Sequence, residues 1–487
     1  MNLKSSSINH STQPDQTLVI PAVLRSRSSS AFNVPVTAGL CAPKGRLSDA
    51  VSGAISGFSK SVPVQLDVLN RWNDGSVRWM LASFVAPEVQ ATEHQLNITA
   101  SNRMNPRVEA SRNLNQSAAA VTTVKLVNGE ICLSSRDLTC DPPVEQTLRF
   151  MPGFHDMHGE EQTLQFDGIR EEVCGQERQV FVISARLRSL PFVTLQFRLT
   201  QWASAGLLQV ETRIRNTRRA RHQGGLWDLG DAGSIFFRSL EVSIRSDEIS
   251  ANAKTHWRAE RDQPFRSTMS EVFVRQFGSG GEFWSSPNHI TADGRSSALA
   301  RGYEGRSESG TLHGHRAEPE LILEGDSSFI ALAVPEFWQQ FPGSVAAAMG
   351  SLEVGLFPAL PEATYELQGG EQKTQSFWLR TGTGTPTASS LDWVYDQPCL
   401  RQSAGSLVEA NVLPWFPDQS AINANADVNQ RFQKYLTQAT TGRFSVDSRR
   451  ASIDEYGWRN FGDVPADHEQ THYAGSNTIV SHYNNQF

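Results

Sequence analysis

The chain has 487 residues, 39% of them hydrophobic and 20% charged, with a formal net charge of −7. That length is too great for a single core and predicts two or three domains of ordinary globular composition. The modest acidity excludes a general nucleic-acid binder, which needs a large basic excess, and no run of ~18 apolar residues is present to cross a membrane as a helix.

The opening stretch, MNLKSSSINHSTQPDQ, lacks the apolar centre of a secretory signal and reads as a disordered polar tail over residues 1–16. Five cysteines (Cys41, Cys132, Cys140, Cys174 and Cys399) show no close-spaced pair of a zinc or redox motif. Cys132 and Cys140 are near enough to pair, but reduced thiols are the simpler expectation and point to the cytoplasm.

From residue 17 the pattern is β. Alternation at Val62, Val64, Leu66 and Val68 leads into the turn Asn73-Asp74-Gly75 and a second apolar run, which predicts a hairpin over 62–85. Trp72 and Trp79 flank that turn and are expected to pair across it. The first domain then covers 17–103, with a boundary in the polar stretch 102–118.

A second block, 110–385, carries strand patterns at 192–202, 206–217, 236–246, 320–334 and 351–358. Short strands between Gly, Asp and Ser turns predict a large sandwich. The stretch RTGTGTPTASSLDW (380–393) has linker composition. Beyond it the residues at Val428, Phe432, Tyr435 and Leu436 share a helical face, with Asp427 placed to cap the start and Gly442 the end. A helical third domain is therefore expected over 392–487. So few residues are too short for a long helical domain, so the sequence reads as a fragment or a product cut off early.

The chemistry-bearing stretch is DEYGWRNFGDVPADHE (454–469), rich in acids and aromatics and broken by Gly457, Gly462 and Pro465. It predicts a shaped loop rather than a solvated helix face. SHYNNQF (481–487) follows. Tyr456, Arg459, Asp463, His468, His482 and Tyr483 together supply phenols, imidazoles and a guanidinium suited to acid–base work. The alternative is that the loop ties helices together through buried hydrogen bonds. Asp467, His468 and His472 match no strong metal motif.

Upstream, NTRRARHQGGLWDLGDAGS (216–234) offers Arg218 or Arg221 as a carboxylate fork; the competing reading is a solvated strand end and a structural turn. Asp228 and Asp231 are too few oxygen ligands to support calcium. HGHRAEP places His313 and His315 on one face of an extended segment, as a two-histidine site or a strand-end pair. EFWQQFP (336–342) is a sugar-stacking platform or core packing, and ELQGGEQKTQSFWL is a Gly-Gly turn entering a strand. No phosphate-binding glycine loop and no Gly-x-Ser-x-Gly elbow occurs.

Taken together, VPVTAGLCAPKG, VLNRWNDGSVRWML, GGLWDLGDAGS, EFWQQFPGS, ELQGGEQKT, IDEYGWRNFGDVPADHE and VSHYNNQ resemble, in order over roughly residues 20–487, the exo-rhamnogalacturonan lyase family and its YetA-like bacterial relatives. The resemblance implies a mainly β protein: a small RIFT-type β-barrel, a large β-sandwich, then an (α/α) toroid, of which only the beginning is present. It implies β-elimination on an acidic polysaccharide or oligosaccharide, with the uronate carboxylate neutralised by Arg, Lys or a cation. No cofactor is expected from the residues, and calcium stands as an unsupported alternative. By chemical type, Arg459 is assigned to neutralising the uronate carboxylate and His468 or Tyr456 to proton transfer, with His482 and Tyr483 as second choices. Arg218, His222, Trp227 and Asp463 are assigned to sugar contacts. The alternatives are a non-catalytic carbohydrate-binding β-protein and an inactive remnant. Nothing in the sequence sets the oligomeric state.

Overall fold

The structure, a computed structural model, describes residues 16–27, 30–103, 121–137, 144–202, 205–221, 231–286, 289, 296–359, 361, 364–386, 391–412, 426–443 and 445–459. The expected tail, apart from Gln16, and most of the expected boundary at 102–118 lie outside these residues, as does Cys140. The fold is mainly β and divides into two compact units. No helix among the described residues is long and apolar enough to cross a membrane.

The first unit is a seven-stranded antiparallel sheet in the order Ser30–Cys41, Val77–Gln90, Val62–Arg71, Ser52–Ser56, Glu93–Ser101, Thr17–Arg25, Cys399–Gln402. Strict alternation along Thr17–Arg25 buries Leu18, Ile20, Ala22 and Leu24, the signature of a strand with one wet face. One side chain closes the sheet on itself. The Gln402 carboxamide accepts from the Cys41 backbone N–H at 2.8 Å and donates to the Cys41 carbonyl at 3.1 Å, as a peptide group of a neighbouring strand would. It thereby satisfies edge groups that would otherwise face solvent unpaired.

The hairpin over 62–85 forms as expected, but its tryptophans do not pair. Register shifts at Val68/Asn70 and Asn70/Arg71 turn Trp72 away; its indole donates to the Ala42 carbonyl at 3.0 Å and lies under Arg78 at 4.5 Å. Trp79 sits opposite Asn70 and Cys41 instead.

The second unit packs two sheets face to face. The nine-stranded sheet runs Leu164–Cys174, Gln179–Leu187, Val193–Trp202, Leu207–Asn216, Gln372–Thr383, Ser328–Ala333, Glu320–Glu324, Lys254–Arg258, Arg266–Thr268. The ten-stranded sheet runs Gly310–Gly314, Tyr303–Ser307, Val272–Gln276, Gly343–Ala348, Ser351–Phe357, Ile235–Ser246, Val144–Asp156, Glu130–Asp137, Val121–Val127, with Tyr365–Leu367 paired beside Ile235–Ser246. Phe197, Leu199, Leu332 and Phe377 from one sheet meet Phe150, Phe154 and Phe237 from the other in a shared core.

The expected linker is not one along its length. Arg380–Thr383 completes a sheet strand, and Asp392–Val394 is a 3-10 turn with Trp393 buried against Trp378 at 4.8 Å. Buried charge holds this turn: the Arg258 guanidinium pairs with Glu320 at 2.6 Å and also with Asp392, while Arg261 pairs with Asp396. Leu391 N–H donates to Glu320 at 3.3 Å. The expected third domain also gives up its first strand, because Cys399–Gln402 completes the first sheet. Four residues are too few to show a period in the sequence. The helix Ala426–Thr440 starts before Asp427, so that residue lies in the first turn and pairs with Arg431 at 3.2 Å rather than capping. Gly442 does adopt a left-handed φ of 79°, as a helix end requires. Phe432, Tyr435 and Leu436 are exposed on this helix.

Two outcomes follow. Replacing Gln402 with Ala removes both backbone hydrogen bonds at the closure and the contact with the Cys41 thiol, and lowers stability by about 1–3 kcal/mol, read from the urea midpoint of the first unit; an unchanged midpoint would show that the closure contributes nothing. Burial raises Glu320 to about 7 despite Arg258, because that guanidinium is shared with Asp392. The folded state therefore holds this proton more tightly than the unfolded chain does. The associated stability is complete below the unfolded carboxyl value and is lost as pH rises through about 7. In Glu320→Gln the fall in stability between pH 5 and 8 is shallower than in wild type, measured by urea unfolding; equal slopes would contradict this.

Candidate active site

The helix Val446–Ile453 is capped by Ser445, whose hydroxyl accepts from Ser448 N–H at 3.2 Å. It ends at Asp454, which takes a left-handed conformation (φ 55°, ψ 52°) and redirects the chain into the sandwich. There the Asp454 carboxylate meets His289 Nε2 at 2.7 Å and accepts from the Ser279 hydroxyl. Ser279 in turn accepts from Gly281 N–H at 3.0 Å. The carboxylate and imidazole are 1% and 2% exposed, so each depends on the other for its polar partner.

The next residues form a short ladder with EFWQQFP. Gly457 N–H donates to the Gln339 carbonyl at 2.7 Å, and Trp458 N–H to the Phe341 carbonyl at 2.8 Å. Gly457 has φ 95°, a conformation that favours glycine, and a Cβ there would sit in tight contact, 3.2 Å from the Phe341 ring. Tyr456 packs with Phe341, Ala298 and Trp338, its ring 5.1 Å from the Trp338 ring. Burial pushes its phenol above the ordinary value, so it holds its proton at neutral pH and suits donation rather than abstraction. Trp458 enters the sandwich core edge-on to Phe357 and Tyr365, each at 5.5 Å. Arg459 is drawn below the ordinary guanidinium value by burial, while Glu371, Glu366 and Glu455 act the other way and favour its charge.

Arg218 sits at an exposed strand end with its guanidinium 3.5 Å from the Phe192 ring. Asp231 accepts from Arg221 N–H at 2.5 Å and Gly233 N–H at 2.7 Å, which makes it a turn residue. Gly369 passes so close that a Cβ would lie 2.6 Å from the Arg219 backbone. Glu366 accepts from Ser234 at 2.6 Å and acts on Arg459. The 216–221 strand end, the Gly-Gly turn and Arg459 are thus brought into one neighbourhood.

His222, Trp227, Asp463, His468, His482 and Tyr483 lie outside the described residues, as do Asp228, Asp467 and His472. His313 and His315 are exposed, and no group of three or more metal-ligating side chains occurs among the described residues. Sequence reasoning missed His289 and Ser279, the partners of Asp454, and Arg316, which lies over Trp338 at 3.9 Å. The signal for Arg316 lies in HGHRAEP, where a single arginine follows two histidines.

Replacing Asp454 with Ala strands His289 in the interior and costs about 3 kcal/mol or more. The Gly457 and Trp458 amides then exchange hydrogen faster, while amides deep in the sandwich change less. Unchanged protection at both positions would show that Asp454 does not anchor the segment.

Residues 23–101 match the family model of the PcRGLX-like N-terminal RIFT barrel domain, and the first unit is a RIFT-type barrel. No curated protein matches the chain. Among solved structures, an alpha-mannosidase from Enterococcus faecalis overlaps 79% of this chain and 46% of its own, with TM-score 0.38 and 10% identity. A GH36 alpha-galactosidase from Geobacillus stearothermophilus overlaps 48% and 30%, with TM-score 0.30 and 10% identity. An alpha-galactosidase from Lactobacillus brevis overlaps 48% and 29%, with TM-score 0.29 and 8% identity. The chain spans less than half the length of these structures, and likeness at this level has no bearing on chemistry.

Proposed function

We propose that this chain is a polysaccharide lyase-like protein acting on rhamnogalacturonan by β-elimination at a galacturonate. The observation that carries the reading is the RIFT-barrel match over 23–101, joined in chain order by the segments named above. Their convergence supports it: EFWQQFP holds Gly457 and Trp458, and ELQGGEQ lies between the 216–221 strand end and Arg459.

A uronate C5 proton is weakly acidic, and the adjacent carboxylate must be neutralised before it leaves. Arg459 takes that role. A base, His468 in the first instance, removes the C5 proton; the C4–O bond breaks as the C4–C5 double bond forms. Tyr456, with its phenol held protonated, returns a proton to the leaving oxygen. No water is consumed, unlike hydrolysis by paired carboxylates. His482 and Tyr483 are the reserve proton carriers, and Arg218, His222, Trp227 and Asp463 the sugar contacts.

One observation favours a second reading, a carbohydrate-binding protein without catalysis. Tyr456 and Trp458 are 7% and 5% exposed, so packing accounts for them without any chemistry.

Incubation with rhamnogalacturonan, followed by ultraviolet absorbance of unsaturated uronates, separates the two. The lyase reading expects new absorbance, lost in Arg459→Ala and reduced roughly 100-fold or more in Tyr456→Phe. Binding without absorbance supports the second reading, and full activity in Arg459→Ala removes that residue from the mechanism.

A further inference from the structure

We propose that Arg316, seated over Trp338 beside Tyr456 and Arg450, is the carboxylate fork of a uronate-binding subsite on the sandwich. The choice of a sugar acid as ligand rests on the function proposed above; the fork itself rests on geometry.

Arg316 follows the strand Gly310–Gly314 and is exposed. Its guanidinium lies 3.9 Å from the centre of the Trp338 ring, and its Nε donates to the Ser279 carbonyl at 3.1 Å. Those two contacts fix the group at one face and one edge. Its terminal nitrogens make no hydrogen bond or ion pair among the described residues. A guanidinium held this way loses little freedom on binding and presents a planar pair of N–H groups to two carboxylate oxygens.

The surroundings add positive charge. Arg301 reaches the neighbouring carbonyl, that of Gly280, at 3.4 Å, so one turn gathers two guanidiniums. Arg450 lies over the Tyr456 ring at 4.8 Å, and that ring is 5.1 Å from Trp338. Arg450 and Arg316 both favour the anionic form of the Tyr456 phenol, against the larger effect of burial, so both lie within electrostatic reach of one oxygen. The Asp447 and Asp454 carboxylates act oppositely on that phenol, and Asp454 is engaged by His289 and Ser279. Half-buried Trp338 supplies an apolar edge beside the fork for a sugar ring.

The test is calorimetric titration of the full chain with digalacturonate, a neutral galactose disaccharide and inorganic phosphate at fixed ionic strength. Digalacturonate is expected to bind at least tenfold more tightly than either of the others. Arg316→Ala should weaken it roughly 10- to 100-fold, the loss of a charge-assisted pair, and Arg316→Lys should restore only part, because an ammonium cannot fork. Arg316 is exposed, so both variants should keep the wild-type circular dichroism. Unchanged affinity in Arg316→Ala, full rescue by Lys, equal binding of the neutral sugar, or phosphate bound as well as digalacturonate would each overturn the subsite. Binding of digalacturonate through Arg316, with no elimination of rhamnogalacturonan in the absorbance assay, upholds the subsite while removing the lyase reading. Elimination with an affinity indifferent to Arg316 does the reverse.

Discussion

The carboxylate of Asp454 has left water, and the region around it is organised by that fact. A buried carboxylate needs partners on every open side. His289 and Ser279 provide them from the sandwich, and neither is itself exposed. Once this group is seated, the following backbone has one course, along the carbonyls of Gln339 and Phe341, and Trp458 is delivered to the core. Tyr456 and Arg459 then take their positions on either side of Trp458 in the chain. The arrangement of guanidiniums and aromatics thus derives from a polar clamp rather than from the groups themselves.

The same physics recurs at Glu320. A carboxylate with little exposure shares its guanidinium with Asp392, and a short turn of linker-like composition is fixed against the sandwich as a result. In both places the chain uses burial of charge to position a segment with few aliphatic side chains of its own. The mutual dependence is strong because removing one member leaves the other uncompensated.

Much of the fold could be read directly. Alternation over Val62–Val68 and the Asn-Asp-Gly turn marked the hairpin, since both are local. What local pattern does not carry was missed: the register shifts that separate Trp72 from Trp79, and the short strand Cys399–Gln402, whose partner is Thr17–Arg25. At the candidate site, the unusual composition of 454–459 was legible, but its use was not. His289 and Ser279 stand 165 and 175 residues away, beyond any periodicity. Arg316 was visible only as one letter between a histidine and an alanine, because its significance comes from Trp338 beneath it.

The closure of the RIFT barrel by Gln402 has a temporal side. Cys41 and Gln402 are 361 residues apart, with the sandwich strands encoded between them. At ribosomal speed, on the order of tens of seconds elapse between the emergence of the first edge and that of its closing amide. Throughout that interval the strand Thr17–Arg25 is a vacant template, open to any extended segment that arrives first. Synthesis of this protein thus passes through a vulnerable stage whose duration is set by the length of its second unit.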